Sequence, residues 1–137
     1  MAFGFFCAVM PPDNAATIAV GTAVLFPQNG AASGITRAGP GEFYLPVIGI
    51  YEVSWQVSFD EPGQLVLALN GVEQPFTVIG RATGTSQLVN HVLLETTSLM
   101  TLLSIRSPAG NSTALTLTPI AGGTKPVSAS LLIKQIK

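Results

Sequence analysis

From Gly49 to Phe59 the chain reads GIYEVSWQVSF, in which Tyr51, Val53, Trp55, Val57 and Phe59 alternate with Glu52, Ser54, Gln56 and Ser58. A period of two held over nine residues predicts a β-strand with one buried and one outward face. The five apolar members are therefore assigned to the core. Downstream, LVLALNGVEQP (Leu65–Pro75) alternates, reaches Asn70-Gly71, and ends its second arm at a proline. Asn-Gly accepts positive φ at both central positions, so this stretch predicts a tight two-residue hairpin.

The same reading finds strands in TIAVGTAVLFP (Thr17–Pro27), EFYLP (Glu42–Pro46), ATGTSQLVNHVLLETT, SLMTLLSIR, STALTLTP and PVSASLLIKQI. QNGAASGITRAGPG (Gln28–Gly41) reads as a turn-rich loop. Leu88–Leu103 has a helix-like apolar content, but Thr96-Thr97-Ser98 splits it into two strands joined by a turn. The fourteen glycines and ten prolines fall mostly between these runs, as turn chemistry requires. Eight to ten strands with such punctuation predict one antiparallel all-β sandwich or barrel. The first eighteen residues, MAFGFFCAVMPPDNAATI, read as an extended arm with a first strand, and residues 19–137 as the domain proper.

Two strands depart from simple alternation. Met100 and Leu102 oppose Leu99, Thr101, Leu103 and Ile105, and Leu132 opposes Ala129, Leu131 and Ile133. A sheet with one wet face alternates cleanly, so apolar groups on both faces imply a second cover. With no helix to supply it, another copy of the chain is the expected cover.

Composition sharpens this picture. Only 9% of the 137 residues are charged and the net charge is −1, against about 25% charged residues in an ordinary domain. The six cations (Arg37, Arg81, Arg106, Lys125, Lys134 and Lys137) are scattered, which excludes the clustered charge that nucleic acid or an anionic membrane surface demands. Mean hydropathy is +0.50, yet no apolar run approaches the ~18–20 residues needed to span a bilayer. The apolar start of the chain stops at Pro11-Pro12 and lacks a basic leader, so it makes a poor signal peptide. A chain of 14.2 kDa buries roughly two-thirds of its extended surface and needs no disulfide staple. Its single cysteine, Cys7, could not form an internal one.

Reactive chemistry is sparse. His91 is the one histidine, reads as a strand residue, and has no Gly-x-Ser-x-Gly elbow to serve. Cys7 sits among phenylalanines in the arm, an apolar setting that raises a thiol pKa rather than activating it. One histidine and one cysteine make no zinc site. Asp60 and Glu61, adjacent in the turn FDEPGQ, read as a solvated hairpin turn in preference to a calcium loop. Asn111 heads an Asn-Ser-Thr glycosylation pattern of near-chance frequency. No catalytic, cofactor or metal residue is assigned, and the chain is expected not to be an enzyme.

Taken together, GIYEVSWQVS with its Gly-x-Tyr strand, LALNGVEQP and the C-terminal VSASLLIKQI resemble the jelly-roll heads of the complement q-subunit and tumour necrosis factor superfamily. Within it they are most similar to the C-terminal domain of the collagen-like glycoprotein of the bacterial spore exosporium. The resemblance runs from about Ala19 to the end and implies a ten-stranded, two-sheet jelly-roll sandwich that assembles as a homotrimer. Such heads usually follow a collagen-like stalk; the Gly-x-y repeat of one is not present in these residues. The resemblance further implies that the sheet holding the Gly-x-Tyr and C-terminal strands surrounds the three-fold axis. Glu52, Ser54, Gln56 and Ser58 would then face the axis or its rim, with Ser54 and Gln56 in the interface beside Met100, Leu102 and Leu132. The expected function is a non-enzymatic structural and assembly module, extracellular, at a cell or spore surface. The alternative is a glycan- or receptor-binding head on the same trimer, using the segment Gln28–Tyr44.

Overall fold

The computed structural model describes residues 1–83 and 87–137. Among them run β1 (Phe3–Met10), β2 (Thr17–Ile18), β3 (Gln28–Ser33), β4 (Thr36–Gly39), β5 (Glu42–Leu45), β6 (Ile50–Ser58) and β7 (Gly63–Leu69). They continue with β8 (Val72–Glu73), β9 (Ile79–Arg81), β10 (Gln87–Glu95), β11 (Thr101–Arg106), β12 (Leu115–Thr116) and β13 (Val127–Gln135). The three two-residue pieces, β2, β8 and β12, account for the excess over the ten expected strands. One sheet has the order β10-β6-β13-β1-β3 and the facing sheet β4-β5-β11-β7-β8, with β9 also on β7. Every pairing is antiparallel. This is the expected two-sheet jelly roll.

Alternation decides what lies between the sheets. Tyr51, Val53, Trp55, Val57 and Phe59 are all buried, as are Leu65 and Leu67 of β7, Leu103 and Ile105 of β11, and Leu131 and Ile133 of β13. Phe6 and Phe43 stack across the core with centroids 4.3 Å apart. The accessible surface of 6579 Å² is close to the ~6,800 Å² of a compact monomer of this mass. Core burial is therefore complete within one chain.

The hairpin at Asn70-Gly71 has φ of 51° and 79° at its central residues, the double left-handed turn that Asn-Gly favours. Asn70 does more than turn the chain. Its N–H donates to the Leu102 carbonyl at 2.7 Å, and its Oδ1 accepts the Leu102 N–H at 2.9 Å.

Two segments differ from expectation. Gln28–Gly41 is not a loop: Gln28–Ser33 pairs with β1 at the edge of one sheet, and Thr36–Gly39 pairs with β5 at the edge of the other. Gly30 allows the first approach, since a Cβ there would stand 2.7 Å from the Phe5 ring. Arg37 joins the two strands, donating to Asn29 Oδ1 and to the Phe26 carbonyl, while its guanidinium lies 5.1 Å from the centroids of Phe6 and Phe43. Thr17–Pro27, by contrast, is mostly irregular, because a turn closed by Thr22 N–H to Ala19 C=O at 3.1 Å interrupts it. The first strand expected within residues 1–18 is β1, Phe3–Met10, and it is paired on both sides, to β13 and β3. Cys7 is consequently half-buried within the sheet.

Candidate functional site on the outer face of the five-stranded sheet

The register of β1, β13, β6 and β10 lays three rows of side chains across the outer face. They are Phe3–Lys134–Glu52–Leu93, Phe5–Leu132–Ser54–His91 and Cys7–Ser130–Gln56–Val89. Each row starts with an apolar or thiol side chain on β1, crosses polar groups on β6, and meets β10, where Leu93 is 62% and Val89 53% exposed. A shallow hollow of about 240 Å³ lies among them, lined by Phe5, Ser54, Trp55, Gln56, Val89, Ser130 and Leu132.

Of the five residues expected at a covered face, Ser54, Gln56 and Leu132 lie here together. Met100 and Leu102 do not. Leu102 belongs to β11 in the facing sheet, opposite Tyr44 of β5, and Met100 sits in the connection before β11 with φ of 52°. A two-faced apolar pattern shows that a strand is covered twice, but not which sheet holds it. Leu99, expected inward, is likewise 67% exposed in that connection. Conversely, Phe5, Val89 and Leu93 were not singled out from sequence. Their signal was present: FGFFCAVM and QLVNHVLLE carry apolar residues in both phases, as Leu132's strand does.

The charged groups of this face form one cluster. Glu52 accepts from Lys134 Nζ at 3.1 Å and from His91 Nε2 at 2.5 Å. Hydrogen bonds from Lys134 first, then His91, hold the Glu52 carboxyl below the usual carboxylate range. A depressed acid contributes stability that is present above its ordinary pKa and is lost as pH falls through the lower folded value. Glu52→Gln should therefore lower the thermal midpoint slightly at pH 7, and the gap to wild type should close in strong acid. An equal gap at both pH values would show that the cluster contributes nothing ionic.

Among the described residues no hydroxyl or thiol hydrogen-bonds the His91 ring. The one hydrogen-bond partner of the His91 imidazole among the described residues is Glu52, and the face is open to solvent. Asp60 and Glu61 act as stitches: Asp60 Oδ1 accepts from the Thr118 hydroxyl at 2.5 Å and Glu61 Oε1 from the Thr116 N–H at 2.6 Å. Both carboxylates tie the turn after β6 to the strand edge at β12. Among the described residues no three His, Cys, Asp or Glu side chains converge as a metal site, and no helix is long and apolar enough to cross a membrane.

No family model matches the sequence, and no curated protein does. Solved structures do match the fold. The globular domain of zebrafish complement 1qA superposes with a TM-score of 0.70 at 14% identity, covering 100% of this chain and 98% of that one. The PRD1 vertex protein P5 gives 0.63 at 14% identity over 99% and 97%, and murine APRIL 0.62 at 14% over 96% and 98%. The chain thus has the jelly-roll fold of complement q-like and tumour necrosis factor-like heads.

Proposed function

We propose that this chain is a non-enzymatic assembly module that forms a homotrimer through the outer face of its five-stranded sheet. We further propose that it serves as the extracellular head of a collagen-like, exosporium-type surface protein. The observation that carries the reading is the three-row face, with apolar flanks around a polar centre and its ionic groups already mutually paired. Phe5 and Leu132 on one flank and Val89 and Leu93 on the other leave apolar area that a second copy would cover. The resemblance of GIYEVSWQVS, LALNGVEQP and VSASLLIKQI to exosporium heads supports the surface role.

Cys7 provides the test, because it lies on this face. In the trimer a thiol reagent should label it slowly at micromolar concentration and faster as dilution releases monomers. Labelling at the rate of a free thiol at every concentration would contradict the assembly.

A binding head on the same trimer is the second reading. It is favoured by a polar hollow of about 330 Å³ lined by Pro62, Gly63, Gly110, Asn111, Ser112, Thr113 and Leu115. A glycan array with wild type and Ser112→Trp, which would fill the hollow, separates the two. Binding lost in the variant supports the head, and no binding leaves assembly as the role.

A further inference from the structure

Arg81 is a half-buried cation with no acid beside it. It lies in β9 opposite Gly63 of β7, where glycine is required: a Cβ would stand 2.4 Å from Leu115 and 3.1 Å from the Phe59 ring. The Arg81 guanidinium covers that ring, 4.4 Å from its centroid. Its Nη2 donates to the Phe59 and Glu61 carbonyls. Nε and Nη1 are buried and have no hydrogen-bond partner among the described residues. Nor does a carboxylate balance the charge, since the ion pairs among the described residues use His91, Arg106 and Lys134. Asp60 and Glu61, the acids of the adjoining turn, are tied instead to Thr118 and Thr116. Unpaired buried donors are rare in folded chains, and costly on a charged group.

We infer that the cavity beside Arg81 binds a small organic carboxylate, with the guanidinium as its counter-ion. The cavity holds about 480 Å³ and is lined by Pro62, Gly63, Gln64, Gly80, Arg81 and Ala82, a volume within the ~300–1,000 Å³ of small-molecule sites. Among the described residues Arg81 is the one ionisable side chain in that lining, so its charge borders the cavity undiluted by a partner. Hydrogen bonds from a guanidinium to an anionic oxygen are about twice as strong as neutral ones. The number of charges then selects the anion. One guanidinium balances one negative charge, and Asp60 and Glu61 stand in the turn that leads into Pro62. Those two carboxylates repel a phosphate more strongly than a monoanion. The site is separate from the outer face of the five-stranded sheet and does not rest on the trimer reading.

Titration of the full chain with sodium glucuronate, followed through its backbone amide resonances, tests the site. A ligand of this size should saturate with a dissociation constant on the order of 1 mM and move the Gly80–Ala82 amides. Glucose, the uncharged counterpart, should not. Arg81→Gln should weaken binding by roughly tenfold or more, the loss expected for a charge-assisted hydrogen bond. Because Arg81 also ties the turn at Glu61, Ala82→Trp provides the second variant: Ala82 is exposed, and an indole there fills the cavity while keeping the cation. It should abolish binding with the unfolding transition unchanged. No shift of the Gly80–Ala82 amides by about 20 mM, well above that constant, would overturn the inference. So would an equal response to glucose, tighter binding of inorganic phosphate, or binding that survives Ala82→Trp. Binding lost in Ser112→Trp but kept in Ala82→Trp would place the ligand in the hollow at Asn111 and overturn it as well.

Discussion

Trp55→Ala is expected to destabilise the protein by about 3–5 kcal/mol, the range for emptying a large aromatic site in a packed core. Trp55 is 2% exposed and sits at the middle of β6, the strand flanked by β10 and β13. Its neighbours two residues either way, Val53 and Val57, are fully buried, so they cannot collapse into the space without moving the sheet. Against a total stability of about 5–15 kcal/mol for a domain, such a loss leaves little margin. Equilibrium denaturant unfolding measures it. A change under about 1 kcal/mol, the size of a surface substitution, would mean that this site does not hold the sheets together.

Leu132→Asp is expected to dissociate the proposed trimer while leaving the protomer folded. Leu132 is half-buried in the single chain and pairs with Phe5 on one side and Ser54 on the other. In a monomer, a carboxylate there reaches water. In the assembly, three would be desolvated without partners, each costing several kcal/mol. Leu102→Asp is the matched control: the same chemistry on the facing sheet should leave the assembly mass unchanged. If Leu102→Asp dissociates the protein and Leu132→Asp does not, the covered face is the other sheet.

The parts of the fold that sequence revealed are those specified locally. β6 announces itself because one face is buried along its whole length, and the β7–β8 hairpin because Asn-Gly chemistry suits one turn. β3 and β4 were hidden for the opposite reason. Their residues are small or polar, and their extended state is set by pairing with β1 and β5 and by the Arg37 clamp, all distant in sequence. In β1 the strand was legible but its faces were not, because an unbroken apolar run hides the alternation of Phe6, Ala8 and Met10 with Phe5, Cys7 and Val9. The candidate face was legible only in part, for the same physical cause. Two-faced strands can be read from residues, but their assignment to a sheet depends on long-range partners. That is why Leu132 fell with Ser54 and Gln56 while Met100 and Leu102 fell elsewhere. The Glu52–His91–Lys134 cluster, drawn from three strands, has no local signature at all.

The mass of the unmodified chain in solution tests the central claim most directly. Sedimentation equilibrium at micromolar concentration should return three times 14.2 kDa. A species of 14.2 kDa, or one of two copies, would contradict a three-fold assembly through the outer face of the five-stranded sheet.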